Sequence, residues 1–585
     1  MQLRFSGVFK SYNGKTVLEN ISGAINAGDK IGLVGRNGVG KTTLARLLTG
    51  QEVCDGGHIE LLPSSGKIFY LEQYPAFVEK DTVCETVLRA VKNNYGVRDY
   101  GRRNDLNTIA EKSLKKLGIS EERWVQGVNS LSGGEKTMLA LCCVLVSDFD
   151  FLILDEPTNH LDLENCERLE NFLGTLAKPV VVISHDRFFL DKVVTKIWEL
   201  TLTGLKVYKG NYSDYKKQKD IEQKSIEQGY RRQQLKMQQL KKVINARKNW
   251  YESAHTAAGK NDFYRSKAKK HARVFKTKKK ELERLKKRGI DKPVKVNNPA
   301  FELINKNIPE EKSAPFLVRG ENVGKSFARK VLFEGAFFNI KRGDKIVLLG
   351  ANGAGKTTFL RIIAGLINDY SGKVIISPAV KLGYFAQELD DLNFSASILE
   401  DVLIAGAGVE EARPLLASLL FRGDDVYKKI GDLSMGEKGR VVFAKIILAG
   451  ANFLILDEPT NYMDIASKEK IEEVLANFKG SLIFVTHDRY FMRLADRVFE
   501  IVGKKLNCYN GNYEYYLAKQ KGDKGKTGIT DIDHRDLMDN INRLECDLAY
   551  LGGRLNEIRD EEEKEKLREK FLAVAKELNR YKEGL

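Results

Sequence analysis

Short apolar runs alternate with amphipathic stretches through most of the chain. Lys30–Val34 (KIGLV) and Lys345–Leu349 (KIVLL) are strand-length runs that feed Gly-rich turns and then helical periodicity. Phe151–Leu154 and Val180–Ser184 read as further buried strands, so the pattern predicts an α/β fold. Residues 214–290 break this rhythm. They contain no proline and few glycines, and predict two long polar helices separated over Tyr251–Asp262, where Gly259 and the Asn261-Asp262 cap signal start the second helix. Pro293 and Pro299 close the segment before a second α/β region that begins near Phe316. After Gly528, Leu537, Ile541, Leu544, Leu548, Leu551, Leu555 and Ile558 keep the four-three spacing of a heptad seam. Leu567, Phe571, Val574, Leu578 and Tyr581 resume it in a new phase beyond the acidic run Asp560–Glu563. An antiparallel helical hairpin is expected there despite the weakness of Gly552-Gly553.

The two α/β regions are copies of one another. GRNGVGKTT at Gly35–Thr43 returns as GANGAGKTT at Gly350–Thr358, 315 residues later. LSGGEK at Leu131–Lys136 returns as LSMGEK at Leu433–Lys438, and FLILDEPTNHLD at Phe151–Asp162 as FLILDEPTNYMD at Phe453–Asp464. The His-Asp-Arg tripeptide at His185 recurs at His487, and these three repeats share an offset of 302. Gln73 and Gln387 lie 314 apart, so the first copy holds about a dozen extra residues before its LSGGEK, expected as a helical turn or two with a loop. The expected organisation is a first α/β domain over 1–213, a helical linker over 214–300, a second α/β domain over 316–519 and a helical extension over 530–585.

A length of 585 residues allows about four domains. No apolar run approaches the ~18 residues a bilayer span needs, so no membrane helix is expected. Met1–Lys10 lacks the apolar stretch of a secretion signal. The seven cysteines are scattered without a CxxC pair, which argues against a disulfide framework or a zinc site and fits a reducing cytoplasm. The net charge of +17 is confined to one place: residues 231–290 hold 21 basic and four acidic residues, and the remainder balances at 75 of each. That distribution predicts a dedicated polyanion-binding element on an otherwise neutral body.

The repeated motifs carry the chemistry. Gly35, Arg36, Asn37, Gly38, Val39, Gly40, Lys41, Thr42 and Thr43 form one phosphate loop between a strand and a helix. Gly350, Ala351, Asn352, Gly353, Ala354, Gly355, Lys356, Thr357 and Thr358 form the other. In such a loop backbone N–H groups wrap the β-phosphate of ATP, Lys41 or Lys356 neutralises β/γ charge, and the helix N-terminus adds its dipole. Thr42 and Thr357 offer a hydroxyl to Mg²⁺, and Asp155 and Asp457 can hold the same ion. Glu156 and Glu458, one residue on, are placed to orient or deprotonate the attacking water. His185 and His487 are candidates to contact the γ-phosphate.

Both copies resemble the ABC ATPases, with LSGGE the most specific mark. The resemblance implies two nucleotide-binding domains that close head to tail around two ATP molecules. Ser434 and Gly436 would complete the site of Lys41, and Ser132, Gly133 and Gly134 that of Lys356. Tyr12 and Phe327, each 29 residues before its lysine, match the aromatic position that stacks on adenine. Gln73 and Gln387 match the glutamine that senses the metal. Met435 replaces a signature glycine, so the Lys41 site is expected to be tighter or slower than its twin.

Three kinds of ABC protein compete for these features. A transporter subunit fits poorly with a basic hairpin between the halves and no membrane span, and a DNA-repair ATPase fits poorly with uninterrupted domains and no CxxC. The tandem arrangement, the DEPTNHLD string with Asn159 and His160, the basic linker and the helical tail resemble the ABC-F family; Tyr462-Met463 in place of His160-Leu161 is a minor departure. The family resemblance implies a cytoplasmic monomer whose linker enters the ribosomal exit-tRNA site and touches peptidyl or initiator tRNA and large-subunit rRNA. Lys248, Arg265, Lys267, Lys269 and Lys270 would then neutralise phosphates. Trp250, Tyr251, His255, Phe263 and Tyr264 flank the turn, where they either stack on unpaired bases or pack between the helices. The long linker and short first-domain insertion look like the antibiotic-resistance branch, which protects the ribosome from large-subunit drugs; a housekeeping translation factor is the alternative.

Overall fold

The computed structural model describes residues 2–73, 75–99, 103–159, 161–257, 262–287, 302, 304–306, 308, 316–327, 330–386, 392–523, 544, 548, 551 and 561–583. It divides into two units, Met1–Val207 with Asn297–Leu585, and Tyr208–Val296.

Within the larger unit each α/β domain pairs two sheets. In the first domain β1 (Gln2–Tyr12) runs antiparallel to β2 (Lys15–Asn26) and β4 (Gly56–Leu62). Asn13 and Gly14, both at positive φ, make the tight turn between β1 and β2. The second sheet has the order β5-β6-β7-β3-β8-β9, from β3 (Lys30–Val34), β5 (Ile68–Leu71), β6 (Phe151–Asp155), β7 (Val180–Ile183), β8 (Lys196–Thr201) and β9 (Gly204–Lys209). Strands β3, β5, β6, β7 and β8 are parallel, so the C-terminal ends of β3, β6 and β7 share one edge. The phosphate loop, the Asp155-Glu156 pair and His185 follow those three ends, which is where open α/β sheets place ligands.

The second domain repeats the plan. Its small sheet is β11-β10-β13, from β10 (Val318–Phe327), β11 (Lys330–Ile340) and β13 (Ser371–Ile376). Its larger sheet is β14-β15-β16-β12-β17-β18, from β12 (Lys345–Gly350), β14 (Leu382–Phe385), β15 (Phe453–Asp457), β16 (Ser481–Val485), β17 (Arg497–Val502) and β18 (Lys505–Tyr509). In both domains the helix after the phosphate loop lies between the sheets. Leu44, Ala45, Leu47 and Leu48 of Lys41–Leu48 pack against Phe5 and Ile25 on one side and Phe151, Ile153 and Ile183 on the other. Each such buried leucine contributes about 1.5–3 kcal/mol of apolar burial, which fixes the helix that frames the phosphate loop.

The extra residues of the first copy form more helix than the expected turn or two with a loop. They lengthen a helical pair, Val83–Asp99 and Arg103–Lys116 with 17 and 14 residues, against 6 and 10 in the equivalent Ile398–Leu403 and Val409–Ser418. Val83, Val87 and Val91 on one side and Leu106, Ala110 and Leu114 on the other are buried, and this helical spacing carries the pair onward.

The smaller unit is built on the helices Tyr212–Ala257, of 46 residues, and Asp262–Lys287, of 26. They run antiparallel: Gln233 Nε2 donates to the Leu285 carbonyl at 2.9 Å, and Lys236 lies 3.5 Å from Glu281. The first helix runs to Ala257, into the expected Tyr251–Asp262 break, because residues 251–257 hold neither glycine nor proline, and the second begins at Asp262. At the C-terminus, Leu544 and Leu548 cluster with Leu578 and Val574, the last two on the helix Glu561–Glu583. Pro293, Pro299 and the Gly552-Gly553 break lie outside the described residues. No described helix is long and apolar enough to cross a membrane.

Candidate functional site

The phosphate loops turn on glycines in the left-handed region. Gly38 and Gly40 have φ of 75° and 99°, Gly353 and Gly355 of 76° and 102°. Lys41 Nζ donates to the carbonyls of Gly35 and Arg36 at 2.9 and 3.1 Å, and Lys356 Nζ to those of Gly350 and Ala351 at 2.8 and 3.2 Å. Each ammonium is thereby drawn over its own loop, and burial pushes both lysines below their ordinary pKa. The side chains of Val39 and Ala354 belong to the core, and a Cβ on Gly35 or Gly350 would meet the carbonyl of Leu200 or Ile501. None of those four residues is among the lining of either cleft.

Next to each loop stands a buried acidic pair. Thr42 Oγ1 donates to Asp155 Oδ2 at 2.7 Å, and the Tyr70 hydroxyl donates to the same oxygen at 3.2 Å. Burial raises Asp155, and it pushes Asp457 up to about 6 against the pull of the nearby Thr357 hydroxyl. Neither Asp457 oxygen meets a donor in hydrogen-bond geometry among the described residues. Buried carboxylate and hydroxyl oxygens without enough donors are the set a hard divalent cation takes. Mg²⁺ therefore fits: Thr42, Asp155 and Gln73 would hold it in one cleft, and Thr357 and Asp457 in the other; Gln387 lies outside the described residues.

Glu156 and Glu458 occupy left-handed backbone, at φ 48° and 50°, which costs a non-glycine residue about 1 kcal/mol or more. The hydrogen bonds from their N–H groups to Ile183 and Val485, at 2.8 and 3.0 Å, hold this geometry. Glu156 Oε1 is 3.5 Å from His185 Nε2, and Glu458 Oε1 is 3.2 Å from His487 Nε2. Burial pushes Glu156 up to about 7, countered by the charge of Lys41. Burial, then the charges of Lys41 and Lys468, hold His185 well below its ordinary value and so neutral at pH 7.

Two clefts of about 520 and 540 Å³ lie between the domains, and each takes residues from both. Tyr12, Gly38, Gly40, Lys41, Thr42, Thr43, Gln73, Asp155, Glu156 and His185 line the first with Ser434 and Met435. Phe327, Asn352, Gly353, Gly355, Lys356, Thr357, Thr358, Asp457, Glu458 and His487 line the second with Ser132, Gly133 and Gly134. Gly436 is not among the lining residues; a Cβ there would sit 2.6 Å from the Tyr462 carbonyl. Ser132 and Ser434 cap the helices Gly133–Val146 and Met435–Leu448 in capping boxes with Glu135 and Glu437, so each signature sets a helix N-terminus at the opposite cleft. Asn37 joins the domains directly: its Nδ2 donates to the Tyr462 carbonyl at 3.0 Å and its N–H to Asp464 at 3.4 Å.

Sequence reasoning missed Tyr70 and its counterpart Tyr384. The available signal was that each stands three residues before Gln73 or Gln387. On the linker, Lys248 pairs with Glu252 at 3.7 Å, Trp250 and Tyr251 are part-buried, and Lys270 is exposed. His255 lies in the first linker helix, and Phe263, Tyr264, Arg265, Lys267 and Lys269 lie in the second, but their side chains are outside the described residues.

This arrangement suits in-line attack of water on a terminal phosphate. A glutamate next to each metal-binding aspartate can accept the water proton, the loop lysine can neutralise charge on the transferred group, and signature N–H groups can add donors from the far side. When bound, Mg²⁺ supplies charge neutralisation at the β- and γ-phosphates.

Known proteins are similar to this chain in sequence and in fold. A family model described as ABC transporter matches residues 18–159 and 333–461. ABC transporter F family member 5 of Arabidopsis thaliana is 33% identical, over 88% of this chain and 77% of its own length. The putative ATP-binding protein YdiF of Bacillus subtilis is 32% identical over 89% and 83%. Ribosome protection protein VmlR of the same bacterium is 33% identical over 82% of each chain. Among solved structures, the complex of archaeal ribosomal stalk protein aP1 and archaeal ribosome recycling factor aABCE1 matches with a TM-score of 0.59 at 19% identity, covering 88% of this chain and 92% of that one, which shows the tandem fold. The chain is an ATP hydrolase that uses Mg²⁺, and it belongs to the ABC-F family of twin-domain ABC ATPases.

Proposed function

We propose that this ABC-F ATPase is a cytoplasmic monomer that works on the ribosome. In the ATP-closed form it occupies the exit-tRNA site. There the linker reaches the peptidyl or initiator tRNA and the large-subunit rRNA around the peptidyl-transferase region, and dislodges antibiotics bound nearby. Hydrolysis, with Glu156 and Glu458 activating water, separates the domains and releases the protein.

The observation that carries this reading is the confinement of the whole +17 charge to residues 231–290, 21 basic against four acidic, most of them on the helical pair. Counterion release makes such a surface an RNA-phosphate binder. The 33% identity to a relative named as a ribosome protection protein supports the drug-directed reading. Equal identity to an F family member whose name carries no drug supports a second one, a general translation factor.

Expression in a susceptible bacterium separates the two. Inhibitory concentrations of lincosamides, streptogramin A, pleuromutilins, phenicols and oxazolidinones are measured with the wild type and the Glu156→Gln/Glu458→Gln variant. A rise with the wild type for at least one class is expected; unchanged values throughout would favour the translation factor.

A further inference from the structure

The seam between the ABC domains is pseudo-symmetric in its charges. Arg187 reaches Glu472 and Arg489 reaches Glu170, positions related by the repeat offset of 302. Lys468 breaks that symmetry. It lies in the first turn of the helix Ile465–Ala476 in the second domain, with only 11% of its side chain exposed. Its Nζ donates across the seam to the His185 carbonyl at 3.2 Å and stands 3.4 Å from Asp488 Oδ2. The equivalent of Lys468 in the first domain is Cys166, a buried thiol near the Leu161 carbonyl of its own domain. Its short neutral side chain cannot hold the His487 loop as Lys468 holds the His185 loop.

We propose that Lys468 is a positioning residue acting in trans on the Lys41 site: it ties the His185 carbonyl to the Asp488 carboxylate and so sets the loop that faces the γ-phosphate. The Lys356 site, with Cys166 at the matching place, lacks this tie, and the two sites differ in turnover for that reason. Lys468 borders both clefts, and its ion-pair partner Asp488 follows His487 of the second site, yet the histidine carbonyl it holds belongs to the first. Its charge also bears on the groups around it. Although burial raises Asp488, Lys468 and Arg187 hold that carboxyl below its ordinary range, and Lys468 joins Lys41 in opposing the burial-driven rise of Glu156.

The proposal rests on assigning Glu156 and Glu458 to water activation, which defines two single-site backgrounds. Glu458→Gln leaves the Lys41 site active, and Glu156→Gln leaves the Lys356 site active. In the first background Lys468→Cys should lower kcat about tenfold, the scale of a misplaced catalytic loop, with the KM for ATP changed less than about threefold. Lys468→Arg should restore most of the rate. In the second background Lys468→Cys should lower kcat less than about twofold. Equal losses in both backgrounds, no loss in the first, or failure of Lys468→Arg to do better than Lys468→Cys would overturn the role of Lys468 while leaving the site assignment standing. Parental turnover in the Glu156→Gln/Glu458→Gln variant would overturn the assignment and the proposal with it.

Discussion

Arg187 of the first ABC domain, itself buried, and the part-buried Glu472 of the second form a two-pronged ion pair, Nη1 to Oε2 at 2.9 Å and Nη2 to Oε1. Arg489 returns the contact to Glu170 at 2.9 Å. Each guanidinium also covers an aromatic ring across or along the seam, Arg187 over Tyr490 at 4.6 Å and Arg489 over Phe188 at 4.4 Å. The Tyr490 hydroxyl donates to Asp191 at 3.0 Å. The arginines directly follow the His-Asp of each nucleotide site, so the pairs would couple an ATP-driven closure of the domains to the geometry of His185 and His487.

Removing Arg187 strands the part-buried Glu472 carboxylate, which costs about 3 kcal/mol, the lower end of the range for a buried stranded charge. Arg187→Ala should therefore weaken ATP-driven closure at least about a hundredfold. Fluorescence transfer between labels on the two domains, in the Glu156→Gln/Glu458→Gln background, reads this as a higher ATP concentration for half-closure. Closure at the parental concentration would show that the pair contributes little.

Tyr70→Phe removes one of the two hydroxyls that meet Asp155 Oδ2 and leaves the ring in place. A single hydrogen bond of about 1 kcal/mol corresponds to roughly a fivefold change in the Mg²⁺ concentration for half-maximal ATPase, measured with Glu458→Gln so that the Lys41 site alone turns over. An unchanged Mg²⁺ response would leave Tyr70 with a packing role.

His185 contributes one component of the pH dependence of the seam. Its folded pKa lies well below 6.5, so below that pH the unfolded chain binds more protons than the folded one. The His185 contribution is full above about pH 6.5 and falls as the pH drops, by up to about 1.4 kcal/mol per unit, while Glu156 and Asp457, raised by burial to about 7 and about 6, contribute with the opposite sign. In urea unfolding between pH 7.5 and 5.5, His185→Gln should show a shallower loss than the wild type. Parallel slopes would contradict the burial argument.

Much of the fold was legible because a repeat advertises itself: the strands before Gly35 and Gly350, the Asp-Glu pairs and the His-Asp-Arg tripeptides recur in register and fall on one sheet edge in each domain. The linker helices were legible from composition, but the end of the first was not, since nothing in residues 251–257 stops a helix before Gly259. The lengthened pair Val83–Asp99 and Arg103–Lys116 was underestimated, because a residue count between landmarks does not say whether the extra residues loop out or extend helices. Lys468, Glu472 and Glu170 were invisible for a different reason. They act on the partner domain, and no local pattern marks a side chain for an interaction some 300 residues away.

Charge reversal at Lys270, Arg273, Lys276 and Lys278–Lys280 tests the linker as an RNA-phosphate surface. Ribosome association should weaken, and the slope of log affinity against log salt should shrink by about 0.7–0.9 for each phosphate that is no longer neutralised, with ATP binding unchanged. A salt slope equal to the parental one would remove the electrostatic role.

The central claim is that ATP held in the paired clefts keeps the basic linker seated on the ribosome. Cosedimentation of the Glu156→Gln/Glu458→Gln variant with ribosomes in ATP and in ADP measures this directly. Near-stoichiometric pelleting in ATP and little in ADP is the expected result; equal pelleting with the two nucleotides, or none with either, would contradict it.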